Sequence, residues 1–496
     1  MTAGRLRAPD RRIVEHLDAA RLGKDVALGR VREHLQLDMA HTVMITEEGI
    51  ITAAQGKAIL EALRDGYRMG DEFPIDPSYD TMVLQIERFL IGRVGEDTGG
   101  RMHTGRSRID MSAAIERIAG RNCLLRVHDQ FVELCQSVLG LAERHASTLM
   151  PGWTHLQHAQ PWTLGHYLLR HLYVWDRHLT RLEAAYGRTN VSSLGGAALA
   201  GTSWPLNRRR VAELLGHDDI VRNSADAGEV TLDWIAEDLA VLSMLLVDIG
   251  RMASDLYLWH TWEFGLVELD DAFCGSSSIM PQKKNAKSME YVRGCAGKAV
   301  GWLPSALGVA RSASSVDVDP VMVGNTHTLD EAADITWRCL DMIAGVLMSL
   351  QVNEERMADV AGAHWSTASA LADGIVRERD LPFRAAHRIV ARLVRNCVEA
   401  GVAPVETTTE ILDAAARDVG SPELGLPTGW IREQLDARKF IESRVTEGSP
   451  SPGEVARQVE ELRNGLAEHQ EWNSRRHDQL EAARLELERS IDRLTA

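Results

Sequence analysis

Long segments in which apolar residues recur every three or four positions constrain the fold more than any other feature. They span residues 127–147, 231–259 and 329–351. This spacing places apolar side chains on one face of an α-helix, and no alternating pattern typical of strands competes with it. The segment 231–259 is apolar around most of its circumference, which indicates burial on nearly all sides. The sequence therefore predicts an all-α fold whose central helices form a bundle shared between subunits.

Stretches rich in Gly, Ser and Pro interrupt the helical pattern, as loops between helices require. They cover residues 70–79, 95–107, 192–205, 271–285, 311–325 and 447–453. From their positions we predict an N-terminal helical domain, a central domain that contains the bundle, and a C-terminal helical domain that ends in a charged helix. These domains are expected to span residues 1–105, 106–360 and 361–496.

The charged C-terminal tail, residues 454–496, keeps a narrow apolar seam at the three/four spacing of a helix. A seam of this width favours a terminal helix that packs on the protein or self-associates over a separate functional module. The seam consists of Leu480, Leu487, Ile491 and Leu494.

The composition excludes several classes of partner. The chain has 55 Lys and Arg against 71 Asp and Glu, a net charge of −16, which argues against nucleic acid or an anionic membrane as a partner.

The six cysteines have no paired spacing and indicate free thiols in a reducing compartment, not disulfides or a zinc site. The N-terminus lacks the apolar core of a signal peptide, and no apolar run reaches the length of a membrane span. We therefore expect a cytoplasmic protein.

The first loop whose residues are suited to binding or catalysis is HTGRSR, residues 103–108. Arg106 and Arg108 lie two positions apart and can direct two guanidinium groups at one anion, since arginine binds carboxylates bidentately. For two arginines alone, a solvated turn before a helix is the alternative.

A second candidate loop is PGWTHLQHAQP, residues 151–161, in which Thr154 and His155 follow a Pro-Gly turn. From this point the segment is predicted to continue as helix until Pro161. Histidine transfers protons readily near neutral pH. Taken alone, however, His155 is more often a packed or surface residue, because the chain contains 18 histidines.

The third loop precedes a predicted helix and reads GSSSIMPQKKN, residues 275–285. Serine acts as a base only if its alkoxide is stabilised, and the amides of a Gly-Ser turn, a nearby lysine such as Lys283 and a helix N-terminus supply that field. Ser277 is therefore a candidate base, and Glu290 on the following helix could orient a histidine from another segment. A flexible linker with a helix cap is the alternative.

The order and wording of these loops resemble the argininosuccinate lyase branch of the fumarase/aspartase superfamily. The resemblance extends over roughly residues 30–460, and the serine-rich loop carries a specific signature of that superfamily. The matching stretches are HTGRSR (103–108), PGWTHLQHAQP (151–161), LGGAALAGTSWPLNR (194–208), EFGLVELDDAF (263–273) and GSSSIMPQKKN (275–285).

The resemblance implies a largely helical, three-domain subunit in a homotetramer, with each active site built from loops of three subunits. It also implies reversible β-elimination of an amine from an N-substituted aspartate, which releases fumarate without a cofactor or metal ion. In this reaction a base removes a proton beside a carboxylate, and the C–N bond breaks as the leaving nitrogen is protonated.

The resemblance further assigns roles to residues. Ser277 is the base and Lys283 stabilises the carbanion. His155 handles the second proton or holds the network that does so, with Glu290 as its carboxylate partner. Residues expected to contact the substrate or support its binding loops are Arg106, Arg108, Thr154, Ser278, Met280, Gln282 and Asn285.

Two departures from the family wording concern the choice of substrate. The branch usually continues its arginine loop as Arg-Asn-Asp-Gln, but here Ile109 replaces the asparagine. An isoleucine cannot supply the amide hydrogen bond to the succinyl half of the substrate. In addition, residues 311–332 lack the Tyr, Gln and Lys with which argininosuccinate lyases hold the arginine-derived half.

The expected function is therefore a C–N lyase that acts on an amine other than arginine. An aminopolycarboxylate of the ethylenediamine disuccinate type is one such substrate, and ordinary argininosuccinate lyase is the alternative. A non-catalytic structural protein, as the lens crystallins of this family are, is disfavoured by the intact Ser277, Lys283 and His155. A fumarase-like hydratase is disfavoured because the loop reads MPQKKN.

Overall fold

The computed structural model describes residues 29–76, 81–228, 231–312, 314 and 328–496. Within these residues α-helices dominate, and each strand is only two residues long. The predicted all-α fold is confirmed. Residues 96–103, expected as loop, instead form a short helix and a 3-10 turn. None of the described helices combines the length and the apolar character needed to cross a bilayer.

The helices and strands are numbered in chain order. The helices are α1 (Val31–Glu47), α2 (Ala53–Met69), α3 (Met82–Val94), α4 (Glu96–Gly99), α5 (Arg108–Arg144), α6 (Leu164–Thr189), α7 (Arg208–Leu214), α8 (Asp233–Trp259), α9 (Lys287–Ala299), α10 (Trp302–Ser312), α11 (Thr328–Ser349), α12 (Glu354–Ala361), α13 (Ala368–Arg379), α14 (Phe383–Ala400), α15 (Thr409–Asp418), α16 (Thr428–Leu435), α17 (Ala437–Glu442) and α18 (Pro452–Thr495). The strands are β1 (Leu149–Met150), β2 (Trp153–Thr154), β3 (Gln157–His158), β4 (Trp162–Thr163), β5 (Val191–Ser192), β6 (Asp219–Ile220), β7 (Val267–Glu268), β8 (Gly275–Ser276), β9 (Lys284–Asn285) and β10 (Gln351–Val352).

The ten described strands form five pairs in the segments that connect the helices. The pairs β1–β4, β2–β3, β7–β10 and β8–β9 are antiparallel, whereas β5–β6 is parallel. Two of these pairs, β2–β3 and β8–β9, carry the candidate loops of the sequence. These two pairs therefore position the candidate loops at the ends of helices.

Helices α5, α6, α8, α9 and α11 pack together as the central bundle. Gly165 N donates to His145 O (2.9 Å), which joins the start of α6 to the end of α5. At the opposite ends of the same helices, Arg117 Nη1 donates to Arg188 O (3.0 Å). Helix α6 therefore runs antiparallel to α5.

Contacts of α8 define which helix ends lie together. Tyr167 near the start of α6 donates to Asp255 near the end of α8 (2.9 Å). Tyr257 on the last turns of α8 donates to Glu290 on the first turn of α9 (3.4 Å). The ends of α5 and α8 and the starts of α6 and α9 thus share one end of the bundle.

One face of α8 is buried in the chain and another is not. Leu242 and Leu246 are fully buried, whereas Met244 and Val247 are 43% and 38% exposed. One chain alone therefore does not bury this helix on nearly all sides, and its burial in a bundle shared between subunits stays a prediction. The apolar side chains that remain exposed are suited to contact with a second copy, which is the arrangement that the sequence predicted.

The terminal helix α18 packs on its own chain. It lies along α5 and α6 and reaches α1 and α2. Its seam residues Leu487 and Ile491 are each 3% exposed and belong to the apolar cluster of the N-terminal helices. Helix α18 therefore contacts the central and N-terminal helices, and the division of the chain into three domains stays a prediction.

A histidine of α18 is held between two carboxylates of α6. His469 Nδ1 lies 2.6 Å from Glu183 Oε1, and its Nε2 lies 3.2 Å from Asp176 Oδ1. Burial lowers the pKa of His469, but the hydrogen bonds and charges of Asp176 and Glu183 outweigh it and raise the pKa to about 9. The contact is thus an ion pair that requires a protonated imidazole.

We expect the docking of α18 to weaken as the pH rises from about 6.5 to about 9. The pKa of His469 rises from 6.5 to about 9 on folding, so its contribution is complete below the lower value and lost above the higher one. After allowance for solvent screening, the free energy of local opening should fall by about 2 kcal/mol. Hydrogen exchange of α18, corrected for intrinsic rates, measures this.

Two variants separate this ion pair from other effects of pH. His469→Gln should make the opening of α18 nearly independent of pH over that window. His477→Gln should retain most of the wild-type dependence, because the contact of His477 with Asp129 on α5 (2.9 Å) is exposed and screened by solvent. A wild-type opening free energy that does not change across the window would contradict the assignment.

Candidate active site

The serine loop, residues 274–285, forms a small hairpin at the end of the bundle where α8 ends and α9 begins. Strand β8 pairs with β9, so that Gly275 lies opposite Asn285. The Asn285 amide donates a hydrogen bond to Gly275 O (3.1 Å). The loop is therefore folded and is not the flexible linker that its composition alone allowed.

Lys284 anchors this loop to the segment that precedes it. Its ammonium group donates to Glu268 Oε1 (2.6 Å) and to Leu269 O, and lies 2.8 Å from Asp271 Oδ1. Burial lowers the pKa of Lys284, but its hydrogen bonds to Asp271 and Glu268 dominate and raise it. Lys284 is thus a charged structural residue, which leaves Lys283 as the lysine available for chemistry.

The Ser277 hydroxyl faces backbone amide groups within the loop. The N–H groups of Ile279 and Met280 donate to Ser277 Oγ at 3.3 and 3.0 Å. Two donors directed at one oxygen favour negative charge on that oxygen, which is the property that a serine base requires. Ile279 and Met280 are 83% and 42% exposed, so the outer face of the loop is accessible.

Other predicted contacts lie on the same loop. The Lys283 ammonium group donates to Asn285 Oδ1, so the two groups that the resemblance assigns to one carboxylate are adjacent. Ser278 and Gln282 are exposed on the outer side of the loop. The loop therefore presents a cation, an amide and a hydroxyl to the same accessible surface.

Glu290 lies on the first turn of α9, as predicted, and its carboxylate is exposed. It accepts a hydrogen bond from the Tyr257 hydroxyl (3.4 Å). In the described part of the chain, its recorded hydrogen-bond partner is this tyrosine and not a histidine. Its role as the carboxylate partner of His155 stays a prediction.

The loop that carries Thr154 and His155 is a β-hairpin, and the prediction that it continues as helix until Pro161 is wrong. Strands β2 and β3 pair with Thr154 opposite Gln157. His155 and Leu156 form the two-residue turn, with φ of 55° and 59°. Two left-handed residues match the twist of a tight hairpin, so the turn geometry overrides the local helical propensity.

This turn exposes its central side chains. His155 is exposed, and Leu156 is 76% exposed. Left-handed backbone costs energy for residues with a side chain, and such strain is often found at functional sites. The hairpin base is tight, because a Cβ on Gly152 would lie 2.3 Å from Gln160 O. The hairpin therefore holds His155 in a defined and accessible position.

Arg106 is buried at the other end of the bundle. Its guanidinium group donates to Asp38 Oδ1 (2.5 Å) and to Met102 O (3.0 Å). These contacts hold the arginine loop to α1, and the role of Arg106 in supporting substrate binding stays a prediction. By contrast, Arg108 is exposed as the first residue of α5, where a helix N-terminus favours a bound anion.

Asp110 joins two candidate loops, and sequence reasoning did not assign it a role. Its carboxylate accepts hydrogen bonds from Ser107 N (2.8 Å), Gly195 N (2.8 Å) and Ala197 N (3.0 Å). Asp110 thereby caps α5 and ties the arginine loop to residues 194–208. The Ser-x-x-Asp spacing of a capping box was the available signal for the first of these contacts.

Within one chain, the candidate loops lie at opposite ends of the helix bundle. The arginine loop precedes α5, whereas the hairpin with His155 follows it, and α5 contains 37 residues. At 1.5 Å per residue this helix is about 55 Å long. Trp153 of the hairpin packs against Trp259 at the end of α8, with ring centroids 6.2 Å apart. The hairpin and the serine loop therefore share the end that is remote from Arg108.

A potential metal-ligand group in the described residues lies away from these loops. His128, Glu183 and His469 have nitrogen and oxygen atoms within 4.8 Å of one another. They lie on α5, α6 and α18, and the contacts of Glu183 with His469 and His128 account for their arrangement. The predicted specificity segment 311–332 falls largely on residues 313 and 315–327, which lie outside the described residues.

Two family models match this chain. The model described as "Lyase" matches residues 20–301. The model described as "Argininosuccinate lyase C-terminal" matches residues 365–442. The first match includes all the candidate loops, and the second covers the helices from α13 to α17.

Relatives and solved structures of similar length match the chain over most of its length. An argininosuccinate lyase of Methanoculleus marisnigri is 40% identical and covers 89% of this chain and 88% of its own. One of Methanocaldococcus jannaschii is 38% identical and covers 86% and 87%. A structure of an EDDS lyase variant with bound fumarate superposes with a TM-score of 0.88 at 32% identity, covering 99% and 96%.

Proposed function

The chain belongs to the argininosuccinate lyase branch of the fumarase/aspartase superfamily, and we propose that it catalyses reversible elimination of an amine from an N-substituted aspartate with release of fumarate. The observation that carries this proposal is the Ser277 hydroxyl oxygen, which accepts hydrogen bonds from two backbone N–H groups. The argininosuccinate lyase relatives and the EDDS lyase with bound fumarate support the same reaction class.

The difficult step is removal of a proton from carbon beside a carboxylate that is already negative. Ser277 takes this proton as an alkoxide stabilised by the amides of Ile279 and Met280. The ammonium group of Lys283 and the amide of Asn285 then meet the carboxylate on which charge accumulates. A preorganised donor at such a position is typically worth about 3 kcal/mol of barrier.

The second half of the reaction breaks the C–N bond. The leaving nitrogen must gain a proton as it departs, and an imidazole is suited to this because it titrates near neutral pH. His155 fills this role or holds the group that does, from its exposed position at the tip of the hairpin. Arg108 and Thr154 bind the part of the substrate that becomes fumarate.

Such a site requires more than one copy of the chain. Arg108 and the serine loop lie at ends of the bundle separated by about the 55 Å length of α5, which is far longer than any substrate of this class. The exposed Met244 and Val247 on α8 provide apolar surface for packing between copies. We propose a homotetramer in which each site combines loops from different subunits.

The amine released is proposed to be one other than arginine. Ile109 stands beside Arg108 and is half-buried. A Cβ on Gly228 would lie 3.2 Å from Ile109 Cγ2, so the side chain packs closely against that turn. Apolar surface here replaces the amide donor expected for argininosuccinate. The EDDS lyase that aligns over 99% of this chain favours an aminopolycarboxylate.

Argininosuccinate lyase is the second candidate. It is favoured by the names of relatives at 36–40% identity, such as those from Methanococcoides burtonii and Methanoculleus marisnigri. The two candidates predict different substrates for the same catalytic groups. The two candidate functions differ only in the amine that the site binds and releases.

Incubation of the enzyme with fumarate and a panel of amines tests the proposal. We expect an adduct mass equal to fumarate plus amine for at least one diamine or amino acid other than arginine, and no such adduct with Ser277→Ala. Adduct formation with arginine alone would establish the second candidate. Absence of turnover with every amine and with argininosuccinate would contradict both and favour a structural protein.

A further inference from the structure

The hairpin that carries His155 contacts a turn between α12 and α13, at the start of the C-terminal helices. The rings of His158 and His364 meet edge to face, with centroids 5.7 Å apart and planes at 81°. Two residues further along, Gln160 Nε2 donates a hydrogen bond to Ser369 Oγ (2.9 Å). Both contacts join segments about 200 positions apart in the sequence.

An apolar contact lies at the base of the same hairpin. Leu149 of β1 belongs to a cluster with residues of the C-terminal helices and is 9% exposed. The other members are Ala361, Ala370, Ala437, Phe440 and Ile441. The hairpin is therefore seated on the C-terminal helices by packing at its base and by polar side chains nearer its tip.

The turn that receives His158 is itself firmly held. His364 and Trp365 both have left-handed backbone, with φ of 55° and 61°. The Trp365 side chain is 9% exposed and belongs to the core of the C-terminal helices. Thr367 Oγ1 donates to Leu435 O (2.9 Å) in the same core. These contacts fix the position of His364.

His158 is suited to a packing role more than to proton transfer. Both of its ring nitrogens are buried without a hydrogen-bond partner in the described structure. Burial, with a smaller contribution from His364, lowers its pKa, so the ring is neutral near pH 7. The ring therefore acts as a spacer between the hairpin and the C-terminal helices.

We propose that His364 and Ser369 are positioning residues that hold the strained turn of His155 and Leu156 in its catalytic orientation, through His158 and Gln160. A two-residue turn of non-glycine residues in the left-handed region costs energy and persists only when its surroundings fix it. The proposal rests on the proposed function, since it assumes that His155 takes part in proton transfer.

A double-mutant cycle tests the proposal. In the wild-type background, His364→Ala should lower kcat about tenfold and change KM by less than about twofold, because it displaces a catalytic group and not a substrate contact. In a His155→Ala background, the same substitution should cause no further loss. An equal loss in both backgrounds would contradict the positioning role and indicate general damage to the fold.

A second readout does not depend on activity. Hydrogen exchange of the hairpin amides, residues 152–160, should be faster in His364→Ala and in Ser369→Ala than in the wild type. His387→Ala, which replaces an exposed histidine of α14, should leave both kcat and hairpin exchange unchanged. Unaltered hairpin exchange in both His364→Ala and Ser369→Ala would overturn the proposal.

The two readouts separate failure of this inference from failure of the proposed function. If the wild type converts no amine and fumarate, the proposed function fails and the positioning of His155 for catalysis fails with it. If the wild type is active but His364→Ala affects neither kcat nor exchange, the function stands and the positioning role is wrong.

Discussion

Replacement of Ser277 by alanine should reduce turnover by about a thousandfold or more while the oligomer stays intact. The variant removes the oxygen that accepts hydrogen bonds from Ile279 and Met280 and that the proposal assigns as the base. Loss of a general base typically costs about two to four orders of magnitude. The released fumarate, measured by its ultraviolet absorbance, reports the rate.

The matched control for this prediction is Ser276→Ala. Ser276 lies on β8, and its backbone pairs with that of Lys284. The variant therefore removes a neighbouring hydroxyl group and keeps the pairing of β8 with β9. We expect nearly wild-type turnover from it. Ser277→Ala turnover within tenfold of the wild type would remove Ser277 from the role of base, provided that both variants show the same mass by light scattering.

Mixed oligomers of two inactive variants should recover activity. Arg108→Ala removes a proposed contact to the fumarate half, and Ser277→Ala removes the base, so each homogeneous oligomer should lose about a hundredfold or more. The two groups lie at opposite ends of α5, which has 37 residues. If they come from different copies, random mixing in equal amounts leaves about a quarter of the sites intact.

The same experiment distinguishes shared sites from sites within one chain. If Arg108 and Ser277 of one chain formed the site, every chain in the mixture would lack one of them and no activity would return. Co-expression with two affinity tags and sequential purification gives oligomers that contain both variants. Verified mixed oligomers without activity would count against shared sites.

The sequence predicted the helices well because their apolar periodicity is long and regular. Residues 231–259 and 329–351 correspond to α8 and α11 within two residues at each end. The hairpin with His155 was missed for a physical reason. In a sequence, a two-residue turn is usually indicated by Asn-Gly or a similar pair. His155 and Leu156 adopt left-handed backbone without glycine.

The sequence named candidate residues, whose roles stay predictions, but not the contacts that position them. The motifs assigned Ser277 and Arg108 to one reaction, and the length of α5 keeps them apart within a chain, as loops from different subunits would be. Asp110 escaped notice because its bonds to Gly195 and Ala197 join loops about 85 residues apart. Such contacts depend on how the helices pack, and local patterns contain no information about them.

The position of Ser277 relative to a bound ligand tests the account most directly. In a crystal structure of the wild-type oligomer with fumarate, we expect Ser277 Oγ within about 3.5 Å of an olefinic carbon. We expect the guanidinium group that binds the ligand carboxylate to be that of Arg108 of the partner subunit. Bound fumarate with Ser277 Oγ remote from both olefinic carbons would contradict the account.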